Sequence, residues 1–255
     1  MKNLSCLVLI VITLMGCRTS TPEQNSVGDT TVSTTATAAQ TNNVLTPEEI
    51  SNGWALLFDG TSLKGWRAYK NMENDSWEVV DGTLHCKPFR DNGDNKRSDL
   101  MTTDQFENFE FRFDWKVAPQ ANSGVMYRVS EKLDEPYQTG PEYQLIDDEG
   151  YPGDLEKTQL TGSVYHMYSP GAESKVNPPG EWNSSMIVVS GNNVQHWLNG
   201  RKIVEYELQS EDWKKRISTS KWKDFPDYGL TAKGHLDLQD HRNEVWFRNL
   251  KIKIL

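Results

Sequence analysis

Phe109-Glu110-Phe111-Arg112-Phe113-Asp114-Trp115-Lys116 decides the fold class. Rings and charged side chains alternate strictly along it. Successive side chains of an extended chain point to opposite faces, so this octet buries one face and wets the other. A helix would scatter the four rings around its circumference. The same period returns in Glu244-Val245-Trp246-Phe247-Arg248-Asn249-Leu250-Lys251-Ile252-Lys253-Ile254. Between these two strands lie hairpin signals. Trp77 to His85 contains Asp81-Gly82, a pair suited to a tight two-residue turn. Met186 to Val189 and Val194 to Leu198 flank Ser190-Gly191-Asn192-Asn193, and Asn199-Gly200 leads into Lys202-Ile203-Val204-Glu205-Tyr206. Helical periodicity is weak everywhere. The best candidate is Thr46-Pro47-Glu48-Glu49-Ile50, with Thr46 as N-cap and Glu49 three residues on. Many short strands with turn signals predict an all-β sandwich or jelly roll. The pattern fails from Tyr151 to Glu181, a stretch rich in Gly, Pro, Tyr and Ser. A loop that long and that aromatic is expected to be packed and functional.

The first residues predict export. Met1-Lys2-Asn3 gives a positive start, and Leu4 to Met15 is an apolar run too short for a membrane-spanning helix. It ends in Leu14-Met15-Gly16-Cys17, which resembles a bacterial lipobox. Residues 1–17 are therefore expected to be a lipoprotein signal, with Cys17 lipidated and anchoring the chain to a membrane of the cell envelope. Which face of the membrane it occupies stays open. Residues 18–44 hold no aromatic side chain and cannot bury enough apolar surface to order themselves, so they are expected to form a flexible tether. Residues 45–255 are left as the folded domain.

Composition narrows the functions. The net charge is -9 and becomes one unit more negative without Lys2. An acidic domain is a poor match for a phosphate backbone, so no nucleic-acid partner is expected. Cys6 lies in the leader and Cys17 is acylated, which leaves Cys86 alone and permits no disulfide in the domain. Nine Trp and nine Tyr suit a large sandwich core and equally a surface on which sugar rings stack.

Three stretches carry polar residues that a plain core strand would not. In Gly140-Pro141-Glu142-Tyr143-Gln144-Leu145-Ile146, a strand places Glu142, Gln144 and Ile146 on one face. If the strand containing Ser123 to Arg128 pairs with it, Arg128 shares that face, as an ion-pairing group or as part of a site. Gly180-Glu181-Trp182-Asn183 follows two prolines; a turn explains the glycine but not the Glu, Trp and Asn together. In Gly234-His235-Leu236-Asp237-Leu238-Gln239-Asp240-His241, alternation gathers His235, Asp237, Gln239 and His241 on one face. That spacing is not a specific metal pattern, so no cofactor is called for, and a divalent metal stays open. Asp147 and Asp148 would point to opposite faces and are poor partners across one glycosidic bond.

Taken in order, these stretches resemble the bacterial 3-keto-disaccharide hydrolase family. The matching pieces are Leu57 to Trp66, Trp77 to Leu84, Asn122-Ser123-Gly124-Val125 with Arg128, and Tyr143-Gln144. Gly180-Glu181-Trp182-Asn183, His196-Trp197-Leu198-Asn199-Gly200, Gly234-His235 with Leu238 to His241, and Val245 to Leu250 complete the set. The resemblance covers about residues 54–255. It implies a concanavalin-like jelly roll of two antiparallel sheets and activity on glycosides oxidised at C3. A C3 ketone acidifies the C2 proton; a base removes it, the C1 oxygen leaves, and water adds to the product. Such a site needs a base and a stabiliser for the enolate oxygen. Residue chemistry at the matched positions suggests Glu142 or His241 as base, with Arg128 and Lys221 stabilising the enolate. His235, Gln239 and Gln144 would hold hydroxyls beside Glu181, and Tyr165 or Trp182 would stack. A C3-oxidising oxidoreductase would act upstream. The alternatives are a non-catalytic carbohydrate-binding lipoprotein and an endo-glycanase using Glu142 with Glu181. The family pattern has glycine after His241; this chain has Arg242, so the turn is expected to be rebuilt with Asn243.

Overall fold

The computed structural model describes residues 41–91 and 96–255. The leader, Cys17 and most of the expected tether lie outside the described residues. Thirteen strands are formed among the described residues: β1 (Trp54–Leu56), β2 (Trp66–Ala68), β3 (Trp77–Val80), β4 (Thr83–Cys86), β5 (Leu100–Thr102), β6 (Phe109–Val117), β7 (Asn122–Val129), β8 (Glu142–Ile146), β9 (Asn183–Ser190), β10 (Asn193–Leu198), β11 (Arg201–Glu207), β12 (His235–Leu238) and β13 (Val245–Ile254). They build two antiparallel sheets. One runs β11-β10-β9-β6-β13-β4-β3, with β1 also paired to β13; the other runs β2-β5-β12-β7-β8. This is a jelly-roll sandwich.

The opening octet is the centre of the larger sheet. Phe109, Phe111, Phe113 and Trp115 are fully buried, each contributing about 1.5–3 kcal/mol by leaving water. They pack against the inner faces of β7, β8 and β12, which supply Val125, Tyr127, Tyr143, Leu145, Leu236 and Leu238. The β3–β4 and β10–β11 hairpins turn on Asp81-Gly82 and Asn199-Gly200, all four at positive φ, as their sequence demands. The helix α1 (Pro47–Ser51) starts with the expected reciprocal cap between Thr46 and Glu49.

Two differences from the sequence reading matter. A second helix, α2 (Glu211–Thr219), follows the Ser210 N-cap. It buries only Trp213, so it lacks the apolar stripe that would have marked it. The packed chain also begins before residue 45. The backbone N–H groups of Asn43 and Asn249 each donate to the other's side-chain oxygen (2.6 and 2.8 Å), and Asn43 Nδ2 donates to Gly82 O. Asn43 is thus docked on the domain, because paired amides hold it where composition gives no apolar signal.

Candidate active site

The smaller sheet carries the site on the face turned away from the core. Tyr143 and Leu145 point inward, so period-2 alternation turns Glu142 and Gln144 of β8 outward. Asn122, Gly124 and Met126 of β7 lie opposite Ile146, Gln144 and Glu142. The neighbouring end of β12 adds Asp237 and leads to Gln239, whose N–H donates to Gly124 O. The Tyr151–Glu181 loop folds back along β8. Gly162 N donates to Gln144 O, Gln144 N to Ser163 O, and Tyr165 N to Glu142 O. It covers an otherwise open sheet edge and brings Tyr165 over the site.

The result is a cleft of about 240 Å³ whose lining includes Glu142, Gln144, Tyr165, Lys221, Gln239 and His241. These expected site residues come together. Asp99, Asn122, Glu135, Tyr137 and Asp240 join them. Lys221 reaches the cleft because a stack of rings fixes the segment after α2. Trp222 lies 4.0 Å from Tyr228, Tyr228 lies 5.5 Å from Trp213, and Trp222 Nε1 donates to Tyr165 O. The Lys221 ammonium sits over the rings of Tyr165 (4.3 Å) and Trp222 (4.6 Å), a cation–π arrangement.

Glu142 is strongly perturbed. It is 3% exposed, and among the described residues no donor reaches its carboxylate. Burial pushes it up to about 8, opposed by the Lys221 charge and reinforced by Asp99. Its place depends on Gly124, where any Cβ would collide with Glu142 Oε1. Lys221 is held below its ordinary value by burial, and Glu142 opposes the shift. His241 is also lowered, mainly by desolvation, which favours its neutral imidazole. Asn122 Oδ1, Gln239 Oε1 and Asp240 Oδ2 are buried acceptors without a donor among the described residues. Such acceptors are costly unless a ligand supplies hydrogens. Among the described residues, no group of three or more His, Cys, Asp or Glu is arranged to hold a metal ion.

Arg128 does not reach the cleft. Its φ is +53°, and an extra residue bulges β7 against β12, where Val129 pairs with His235 and Met126 with Asp237. The bulge breaks alternation. Val129 then joins Met126, Tyr69 and Met101 on the outward face, while the guanidinium turns to donate to Glu107 O and Gly191 O. His235 shares the outward face but lies further along β12, where Nδ1 contacts Thr102 O and Nε2 contacts Gln105. Glu181 and Trp182 precede β9 and so belong to the other sheet. Trp182 packs there under Arg248 (3.9 Å) and Lys116 (5.3 Å), leaving it no part in the cleft and removing the Glu142–Glu181 pair. The turn after His241 is made by Arg242 itself, at φ +65°, with its N–H donated to Asp240 Oδ1. Asn243 instead accepts from Asn122 N.

Asp99 left no trace in the sequence: it is a lone carboxylate before a three-residue strand. Glu135 caps and Tyr137 sits within a short 3₁₀ turn at Pro136–Gln138, and neither carries a periodic signal.

A jelly roll with a polar, acceptor-rich cleft walled by Tyr137 and Tyr165 defines a carbohydrate-active protein. The comparisons specify it further. The chain belongs to the family described as the 3-keto-alpha-glucoside-1,2-lyase-like domain, whose model matches residues 53–253. A 3-keto-disaccharide hydrolase of Bacteroides thetaiotaomicron is 30% identical over 267 residues, covering 92% of this chain and 90% of that protein. A solved structure described as a candidate glycosyl hydrolase from Parabacteroides distasonis ATCC 8503 superposes with a TM-score of 0.78 at 43% identity, over 84% of this chain and 100% of that one. A second candidate glycosyl hydrolase from the same organism gives 0.61 at 27% identity, over 80% of this chain and 100% of that one. The family and these relatives are those of glycoside-cleaving enzymes.

Proposed function

We propose that the protein hydrolyses 3-keto-glycosides by elimination and hydration in the cleft around Glu142. The observation that carries this reading is a buried carboxyl with no donor among the described residues, facing a cationic amine across a polar pocket. Elimination needs a base that meets a weakly acidic C–H and a positive group where enolate charge develops. Glu142 suits the base. A carboxylate drawn from a dry floor is stronger than one in water, and its perturbed value lies near working pH. Lys221 suits the enolate oxygen, a duty that the sequence reading shared between Lys221 and Arg128. Asn122, Gln144 and Gln239 suit the sugar hydroxyls, which supply the donors that the buried acceptors lack. His241 stands at the exposed end of the cleft and suits substrate contact better than proton abstraction.

The Leu14-Met15-Gly16-Cys17 motif belongs to the same proposal. It would tether the enzyme at the cell envelope, where an oxidoreductase that oxidises C3 must supply the substrate. The test is to incubate the protein with a 3-keto-glucoside and with the unoxidised parent glucoside, following aglycone release. Release from the ketone alone supports elimination. Equal release from the parent would assign Glu142 and Asp99 to direct two-carboxylate hydrolysis instead.

A further inference from the structure

Beneath the cleft floor lies a second carboxyl group that the scheme above leaves unused. Asp237 sits on β12 between Met101 of β5 and Met126 of β7. It is 0% exposed, and no N–H or hydroxyl among the described residues donates to either of its oxygens. Its neighbour is another carboxyl: Asp99, two residues before Met101, falls on the same outward face. Two neighbouring carboxylates repel each other, and burial makes a doubly ionised pair prohibitively costly. The pair therefore keeps one proton under conditions that ionise ordinary carboxyls. Asp237, wholly enclosed, is held far above the usual carboxylate range by burial and by Asp99.

Asp99 is the member that faces substrate. It lines the cleft with Glu142, and its Oδ1 accepts the backbone N–H of Asp240 at 2.7 Å. That bond fixes the orientation of its carboxyl. The Asp240 side chain is tied to Arg97 at 2.6 Å, so the cation there serves Asp240 and leaves the pair with its proton. The unpartnered Asn122 Oδ1 and Gln239 Oε1 open onto the same space, which marks it as a ligand site and more than an acidic cluster.

We infer that Asp99 is the general acid of the reaction, delivering the proton it shares with Asp237 to the departing C1 oxygen, with Asp237 as the positioning residue that keeps that proton available. This rests on the elimination reading above. In the first step Glu142 takes the C2 proton, the C1–O bond breaks, and its oxygen accepts the proton from Asp99, leaving alcohol and enone. In the second, water adds its oxygen to C1 and gives a proton to the Asp99 carboxylate, while Glu142 returns its proton to C2. The sum is one water consumed and both carboxyls restored.

The leaving group tests it. A 4-nitrophenyl 3-keto-glucoside expels a stable anion that needs no acid, whereas a methyl 3-keto-glucoside expels an alkoxide that does. Asp99→Asn should lose about 100-fold or more on the methyl substrate and stay within a few-fold of wild type on the nitrophenyl one. Exchange of the C2 hydrogen in deuterated water should persist in Asp99→Asn, which also shows that the variant is folded. The same exchange should vanish in Glu142→Gln. Asp237→Asn should show the same leaving-group dependence, with the descending limb of its pH–rate profile moved to lower pH. Equal losses of Asp99→Asn on both substrates, with wild type active, would overturn the acid assignment alone. Inactivity of wild type on both substrates would overturn the elimination reading beneath it.

Discussion

Glu142→Gln exchanges a carboxyl for an amide of the same shape in the cleft floor, and the protein should become more stable for it. The carboxyl has an ordinary value of 4.5 and is pushed up to about 8 by burial in the fold. Below pH about 4.5 it is protonated in both folded and unfolded chains, and no charge is buried. As pH rises, the unfolded chain releases its proton first, while the folded one holds on until about 8. Across that window stability falls by about 1.4 kcal/mol per pH unit. The accumulated loss is about 3 kcal/mol at pH 7 and tends toward about 5 kcal/mol above pH 8. Glutamine carries no charge in either state and removes the slope. The variant should therefore match wild type near pH 4 and exceed it by about 3 kcal/mol at pH 7, or about 6–12 °C in Tm for a domain of this size. Urea unfolding of both proteins at pH 4.5, 6, 7 and 8 measures the difference. A variant no more stable than wild type at pH 7, or a gap that fails to close toward acid pH, would refute the burial of an ionisable Glu142. The accompanying loss of turnover would be the ordinary exchange of stability for function at a site.

Two further variants separate position from folding. Gly124→Ala places a methyl where Glu142 Oε1 now lies; it should cost about 1–3 kcal/mol by overpacking and lower kcat at least about tenfold by displacing the carboxyl, measured as Tm and initial rate together. Arg128→Ala should lose stability alone. It leaves Glu107 O and Gly191 O without their donor and should cost about 2–4 kcal/mol, while kcat and KM of the folded fraction stay at wild-type values.

Alternation was readable wherever one sheet face meets the core. It assigned the rings of β6 inward and, by the same rule, turned Glu142 and Gln144 outward. It also gathered His235, Asp237, Gln239 and His241 on one face of their own stretch. Alternation failed where the backbone departs from the regular pleat. The bulge at Arg128 reverses that side chain's direction, and no local signal distinguishes a bulged strand from a regular one. Trp182 carried the composition of a sugar platform, but a turn and two cations on the opposite sheet claim its ring. Arg242 accepts a positive φ that its residue type disfavours, because the Asp240 carboxylate holds its N–H.

The sequence by itself determined the two-sheet sandwich, its hairpins and the family to which the chain belongs. Period-2 burial and turn chemistry are local properties, and the order of motifs is written along the chain. The tertiary structure alone decided which polar residues share a cleft. Asp99 and Asp237 are more than a hundred residues apart in sequence and meet only because β5 and β12 are neighbours. Lys221 reaches Glu142 only through the stacked rings of Trp213, Tyr228 and Trp222. The perturbed carboxyls have the same origin: desolvation is set by what surrounds a group in space, and no stretch of sequence contains those surroundings.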